Sequence, residues 1–201
     1  MPDYPQRKRN RLPDYDYSAP GAYFVTLCTH EKRCFLSKIA VGALHEAPVV
    51  CLTEAGMVVR QAINALPERF PEIQIDHSVI MPNHVHLLLQ ITTERALRKA
   101  PLRTDEGGGM ESSALAKRAL REAPLQPDEG RGRERSTLAK AIGFLKMNSS
   151  KQIRTAQPQL KVWQRSFYDY VVRGEDDFRE VWTYINNNPA RWIEDEYFAE
   201  S

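Results

Sequence analysis

The chain has 201 residues, 42% of them hydrophobic, which is enough for one sizeable core and, by length, one domain. Lys and Arg (28) nearly balance Asp and Glu (26), so the net charge of +2 excludes a globally basic nucleic-acid binder and leaves only local patches. No apolar run reaches the length of a membrane span, Cys28, Cys34 and Cys51 lack metal-finger spacing, and no secretory leader is visible, so a soluble, cytoplasmic protein is expected.

Residues 1–20 are basic and rich in Tyr and Pro, and read as an arm. Its cluster Arg7-Lys8-Arg9, with Arg11, is either a solvated terminus or a phosphate-contacting patch. AYFVTLCTH, 22–30, predicts a strand from its aromatic and β-branched content. Residues 31–52 are ambiguous, with a short strand expected at 48–52. Thr53 has the character of an N-cap for a helix to about Leu66, burying Val58, Val59, Ala62, Ile63 and Leu66, with Pro67 and Pro71 ending it. Ile73–Ile80 and His84–Ile91 predict two strands joined by the turn Met81-Pro82-Asn83, hence an antiparallel hairpin.

The composition changes between 93 and 135. RALRKAPLRTDEG at 95–107 recurs as RALREAPLQPDEG at 118–130, a tandem duplication with a 23-residue period. Two copies with Pro, Gly and charges at their centres cannot build a continuous solenoid core, so an inserted surface loop is expected, with a specificity or partner-binding arm as the alternative. Ser136 or Thr137 then caps a helix to about Arg154, with Leu138, Ile142, Leu145 and Met147 inward. Its other face carries Lys140, Lys146, Lys151 and Arg154, either a solvated face or a phosphate-contacting one. VWQRSFYDYVVR, 162–173, predicts the last strand, in which Trp163, Arg165, Phe167 and Tyr168 could contact unpaired bases or, for the aromatics, fill the core. Gly174 breaks it, and a final helix spans 175–188, stopped by Pro189. Residues 193–201 read as a tail. The order strand, helix, strand, strand, helix, strand, helix predicts a ferredoxin-like split βαβ α+β sandwich with an antiparallel sheet and an added C-terminal helix.

His84-Val85-His86 carries the chemistry. Strand side chains alternate faces, so the two imidazoles point the same way and can chelate one divalent cation. Alone, such a pair is as readily a hydrogen-bonded core feature. The final helix adds Tyr184 and Asn188, four residues apart and therefore on one face. Asn188 can lend a carbonyl oxygen as third ligand, and the Tyr184 phenol would lie close by. An N,N,O site with open positions suits Mg²⁺ or Mn²⁺ bound to a phosphate, with zinc as the chemical competitor. Beside such a cation a tyrosine can attack phosphorus in line, conserving bond energy so that a cut strand can be rejoined. Tyr168 and Tyr170 are rival nucleophiles that lack an Asn four residues later.

The segments DYDYSAPGAYFVTLCTH, VIMPNHVHLLL, VWQRSFYDYVVR and YINNNPARW together resemble the REP-associated tyrosine transposases, within the single-tyrosine HUH insertion-sequence transposases. The likeness runs from about Arg7 to Trp192 around the 93–135 insertion, making 21–192 one transposase domain. It implies that His84, His86 and Asn188 are metal ligands, that Tyr184 is the nucleophile, and that Mg²⁺ or Mn²⁺ is required. It further implies cleavage of single-stranded DNA beside a hairpin through a 5′-phosphotyrosine. The arm, Lys140, Lys146, Lys151 and Arg165 are the residues that by their charge could hold that DNA. A nucleoid-associated location, no small-molecule cofactor, and a monomer or homodimer complete what the resemblance implies. Asn188 stands where some wider relatives carry Gln, and the duplication interrupts the pattern. A hairpin-binding protein without strand-transfer activity, or a module in which the histidines are structural, are the competing readings.

Overall fold

The computed structural model of the chain describes residues 17, 19–40, 48–92, 136–195 and 197–198. Arg7, Lys8, Arg9, Arg11 and the duplicated insertion lie outside the described residues. Six strands and four α-helices are formed among those described: β1 Gly21–Cys28, β2 Ser37–Ala40, β3 Val49–Leu52, α1 Glu54–Asn64, α2 Leu66–Arg69, β4 Ile73–Ile80, β5 His84–Ile91, α3 Thr137–Ala156, β6 Tyr168–Val172 and α4 Gly174–Asn187.

The main sheet has the order β4-β5-β1-β6 with every neighbouring pair antiparallel. With α1 between β1 and β4, and α3 between β5 and β6, this is the expected ferredoxin-like split βαβ arrangement. Alternation divides the sheet into two faces. Tyr23, Val25 and Leu27 of β1 and Val85, Leu87, Leu89 and Ile91 of β5 enter the large core, with Val59 and Ile63 of α1 and Leu138, Ile142 and Leu145 of α3. The other face packs Ala22, Leu88 and Val172 against Ile185 of α4. Every residue of β5 is buried, because the strand is central and covered on both sides. His84 and His86 share the parity of Leu88 and so face the α4 layer.

Several expectations are corrected. The single helix from Thr53 to Leu66 divides, and Pro67 lies in the first turn of α2, where its missing N–H costs nothing. A β2–β3 hairpin occupies the ambiguous 31–52 stretch. The strand expected over 162–173 contracts to Tyr168–Val172. Trp163 makes only an isolated bridge to Thr29, and the Lys146 ammonium gathers the carbonyls of Gln164, Arg165 and Ser166 into a loop. Met147 is 62% exposed rather than inward. It sits about 200° around α3 from Leu145, off the stripe that Leu138, Ile142, Leu145 and Ser149 define.

Thr53 caps α1 as expected, its hydroxyl oxygen accepting from Gly56 N at 3.1 Å while its own N–H donates to the Leu36 carbonyl at 3.0 Å. The two contacts draw the first turn of α1 onto the chain entering β2. A Cβ at Gly56 would fall 2.0 Å from that carbonyl oxygen. Gly56→Ala is therefore expected to destabilise the protein by about 1–3 kcal/mol despite the higher helix propensity of Ala, as read by urea denaturation.

Candidate metal and nucleophile site

The site begins at the turn before β5. Asn83 is fully buried, and its side-chain amide donates to the carbonyls of Lys32 (3.1 Å) and Tyr197 (2.7 Å). Its Oδ1 lies 2.9 Å from His84 Nδ1. One register step inward, His86 Nδ1 lies 2.9 Å from the Thr26 hydroxyl on β1, its paired neighbour. Both imidazoles are thus anchored through Nδ1. The rings stand 4.5 Å apart, centroid to centroid, and neither Nε2 has a hydrogen-bond partner.

The last two turns of α4 and the chain that follows complete the surroundings. Tyr184 packs edge-on against Phe24 (5.8 Å) and lies 5.3 Å from the His86 ring. It remains 42% exposed, whereas His84 and His86 are 0% and 1% exposed. Asn188, the C-cap of α4, is buried, and its Nδ2 donates to Asp195 Oδ2 at 2.8 Å. Its Oδ1 has no hydrogen-bond partner. The four residues singled out by the sequence therefore come together, and three of them present an unsatisfied buried atom.

Burial pushes the His84 imidazole down to about 4, opposed by the charge of Asp195 and the Asn188 side chain and assisted by the charge of Lys32. Burial, with the neighbouring His84, also holds His86 well below its ordinary value. Both rings are neutral at neutral pH, the form that binds a cation. A folded state that keeps them neutral binds fewer protons than the unfolded chain between pH about 4 and the ordinary 6.5, so this contribution to stability is lost as pH falls through that window. Asp76, pushed up to about 6 mainly by burial, acts in the opposite direction, because the folded state retains a proton that the unfolded chain releases. Asp76→Asn removes that opposition. Its unfolding free energy, followed by urea denaturation, is expected to fall more steeply from pH 6.5 to 4.5 than that of the wild type.

Two residues near the histidines were not found by sequence reasoning. Asp195 offers a carboxylate oxygen within 4.8 Å of ligand nitrogens on His84 and His86, although 193–201 reads as a tail. The Tyr197 ring lies 4.8 Å from His84. A groove of about 710 Å³ opens beside them, lined by Tyr184, Asn188, Arg191 and Asp195 among others.

The expected DNA-contacting residues disperse. Lys140 and Lys151 are exposed on α3, which covers the sheet face opposite the histidines. Lys146 is removed from the free cationic surface, since its donors are committed to three loop carbonyls. Arg165 is exposed at the histidine end of the sheet, because Gln164 N donates to Cys28 O and Cys28 pairs with His84. Of the rival nucleophiles, Tyr170 donates its hydroxyl to Asp177, a bond that raises its pKa.

No family model matches the chain. It is similar to an uncharacterized protein of Haemophilus influenzae, 28% identical over 195 residues that span 96% of this chain and 94% of the relative. Among solved structures it is similar to a REP-associated tyrosine transposase bound to a REP hairpin, with 19% identity and a TM-score of 0.47, covering 95% of this chain and 74% of that one. Among the described residues, no helix is long and apolar enough to cross a membrane.

Proposed function

We propose that the protein is a metal-dependent tyrosine transposase that cuts and rejoins single-stranded DNA beside a hairpin. The observation that carries this reading is the convergence of three unpartnered buried atoms, His84 Nε2, His86 Nε2 and Asn188 Oδ1, next to an exposed tyrosine. Orphaned buried polar atoms are costly, and a divalent cation would satisfy all three at once, with both rings in the Nδ1–H form. The amide oxygen and the absence of a thiolate suit Mg²⁺ or Mn²⁺ holding a phosphate, and the two imidazoles keep zinc as the chemical competitor. The sequence resemblance supports the same ligands and the same nucleophile.

When bound, the cation supplies charge stabilisation to the phosphate oxygens. The chain does the rest. Tyr184 is held by its ring contacts and lines the groove. Its phenolic oxygen bonds to phosphorus while the bond to the 3′ oxygen breaks. The phenol proton passes to water and the 3′ oxygen takes one up, leaving a 5′-phosphotyrosine and a free 3′-OH. Attack by a 3′-OH on that linkage reverses the step and rejoins strands. In this reading the basic arm, Arg7, Lys8, Arg9 and Arg11, tracks the phosphates of the hairpin, Arg165 contacts the strand entering the site, and residues 21–192 act as one domain in the nucleoid.

The test is a denaturing gel of the protein with a hairpin-bearing single-stranded oligonucleotide and Mn²⁺. A covalent adduct that disappears with chelator is expected. Hairpin binding without an adduct would overturn strand transfer in favour of a binding protein. No preference for hairpin over duplex would overturn the DNA assignment altogether.

A further inference from the structure

Resting on the metal reading above, we infer that Asn83, Thr26 and Asp195 form an outer ring of positioning residues, with Asp195 orienting Asn188 and Asn83 fixing the tautomer of His84. The Asn83 amide nitrogen donates to two carbonyls, Lys32 O and Tyr197 O, so its oxygen is the atom facing His84. An amide oxygen can only accept. His84 Nδ1 must therefore carry the proton, and Nε2 is left with its lone pair directed into the site.

Asp195 acts on Asn188 by the same logic. A carboxylate only accepts, so the atom of Asn188 that meets Asp195 Oδ2 at 2.8 Å is the amide nitrogen. The amide oxygen consequently faces the other way, towards the histidines, where it has no other partner. The second carboxylate oxygen, Oδ1, accepts from Tyr197 N at 2.7 Å, which fixes the carboxylate itself. Both Asp195 oxygens are thus already engaged. The hydroxyl of Thr26 occupies the corresponding place behind His86. Each inner atom has an outer partner on a different element: the turn before β5, strand β1 and the segment after α4. Such outer partners set ligand orientation and basicity without touching the ion.

The segment bearing Asp195 follows a short 3₁₀ turn at Trp192–Glu194 and takes no part in the sheet, so its side chain can be altered with little risk to the core. Mn²⁺ affinity, measured by electron paramagnetic resonance on full-length protein, is expected to fall about 10–100-fold in Asp195→Ala. Asp195→Asn keeps an acceptor oxygen for Asn188, at the cost of the bond from Tyr197 N, and is expected to recover most of that loss, while both metal-free variants stay folded with melting temperatures lowered to a similar extent. Equal, severe loss in both variants would overturn the positioning role and make Asp195 a direct ligand. Wild-type affinity in Asp195→Ala would also overturn it. Absence of Mn²⁺ binding by the wild type would instead overturn the metal reading on which it rests. A second readout needs no metal. Long-range ¹H–¹⁵N spectra of the wild type at neutral pH are expected to show His84 as the Nδ1–H tautomer, and an Nε2–H ring would overturn the role of Asn83.

Discussion

Tyr184→Phe is expected to abolish the covalent protein–DNA adduct, lowering strand cleavage by on the order of 10⁴-fold or more, as loss of a nucleophile does elsewhere. Phe retains the ring that packs against Phe24 and His86, so the groove and the position of α4 persist. Mn²⁺ affinity and hairpin affinity should therefore stay near wild type. The useful control is Tyr168→Phe. Tyr168 pairs with Thr26 across β1 and β6 and shares the histidine face of the sheet, yet it should retain the adduct. A denaturing gel run on all three proteins separates the outcomes, and an adduct that survives in Tyr184→Phe would remove this tyrosine as nucleophile.

His84→Ala is the second large effect. It deletes one of the two imidazoles of the proposed metal site and leaves Asn83 Oδ1 with its partner gone in a buried position. Mn²⁺ affinity should fall by more than the ~100-fold that marks the upper end for outer partners. The loss is visible as a missing thermal shift. In the wild type, cation at about 100 times its dissociation constant adds roughly 2.7 kcal/mol to folded-state stability. The variant should melt at the same temperature with and without Mn²⁺. A preserved metal-dependent shift would place the ion elsewhere.

Much of the fold was legible because its signals are local. Aromatic and β-branched content marks β1 and an apolar run marks β5, and the spacing of Val59, Ala62, Ile63 and Leu66 marks a helix stripe. The alternation of strand faces gave the histidine pair, and a four-residue step gave Tyr184 and Asn188. The misses share a physical cause. Trp163 is buried without being in a strand, because a single bridge to Thr29 and the Lys146 ammonium, not a ladder, hold its neighbourhood. β2 is four residues long and partly exposed, so it carries little periodic signal. Asp195 reaches the histidines only because the chain turns back after Pro189, and its contact with Asn188 spans seven residues of turn and 3₁₀ backbone that carry no periodic signal. Asn83 stood in view in the turn, but its part depends on carbonyls 51 and 114 residues away.

The complete burial of β5 has a kinetic consequence. Its amides are locked between β4 and β1 and shielded by both layers, so they should be among the slowest to exchange with deuterated water. α4 rests on a far smaller apolar patch, with Ile185 its one fully enclosed side chain, and its amides should exchange sooner. The histidine half of the site thus belongs to the last part of the molecule to open, and the Tyr184–Asn188 half to an early one. Residence times of ion and strand would then follow the lifting of one helix rather than the lifetime of the whole fold.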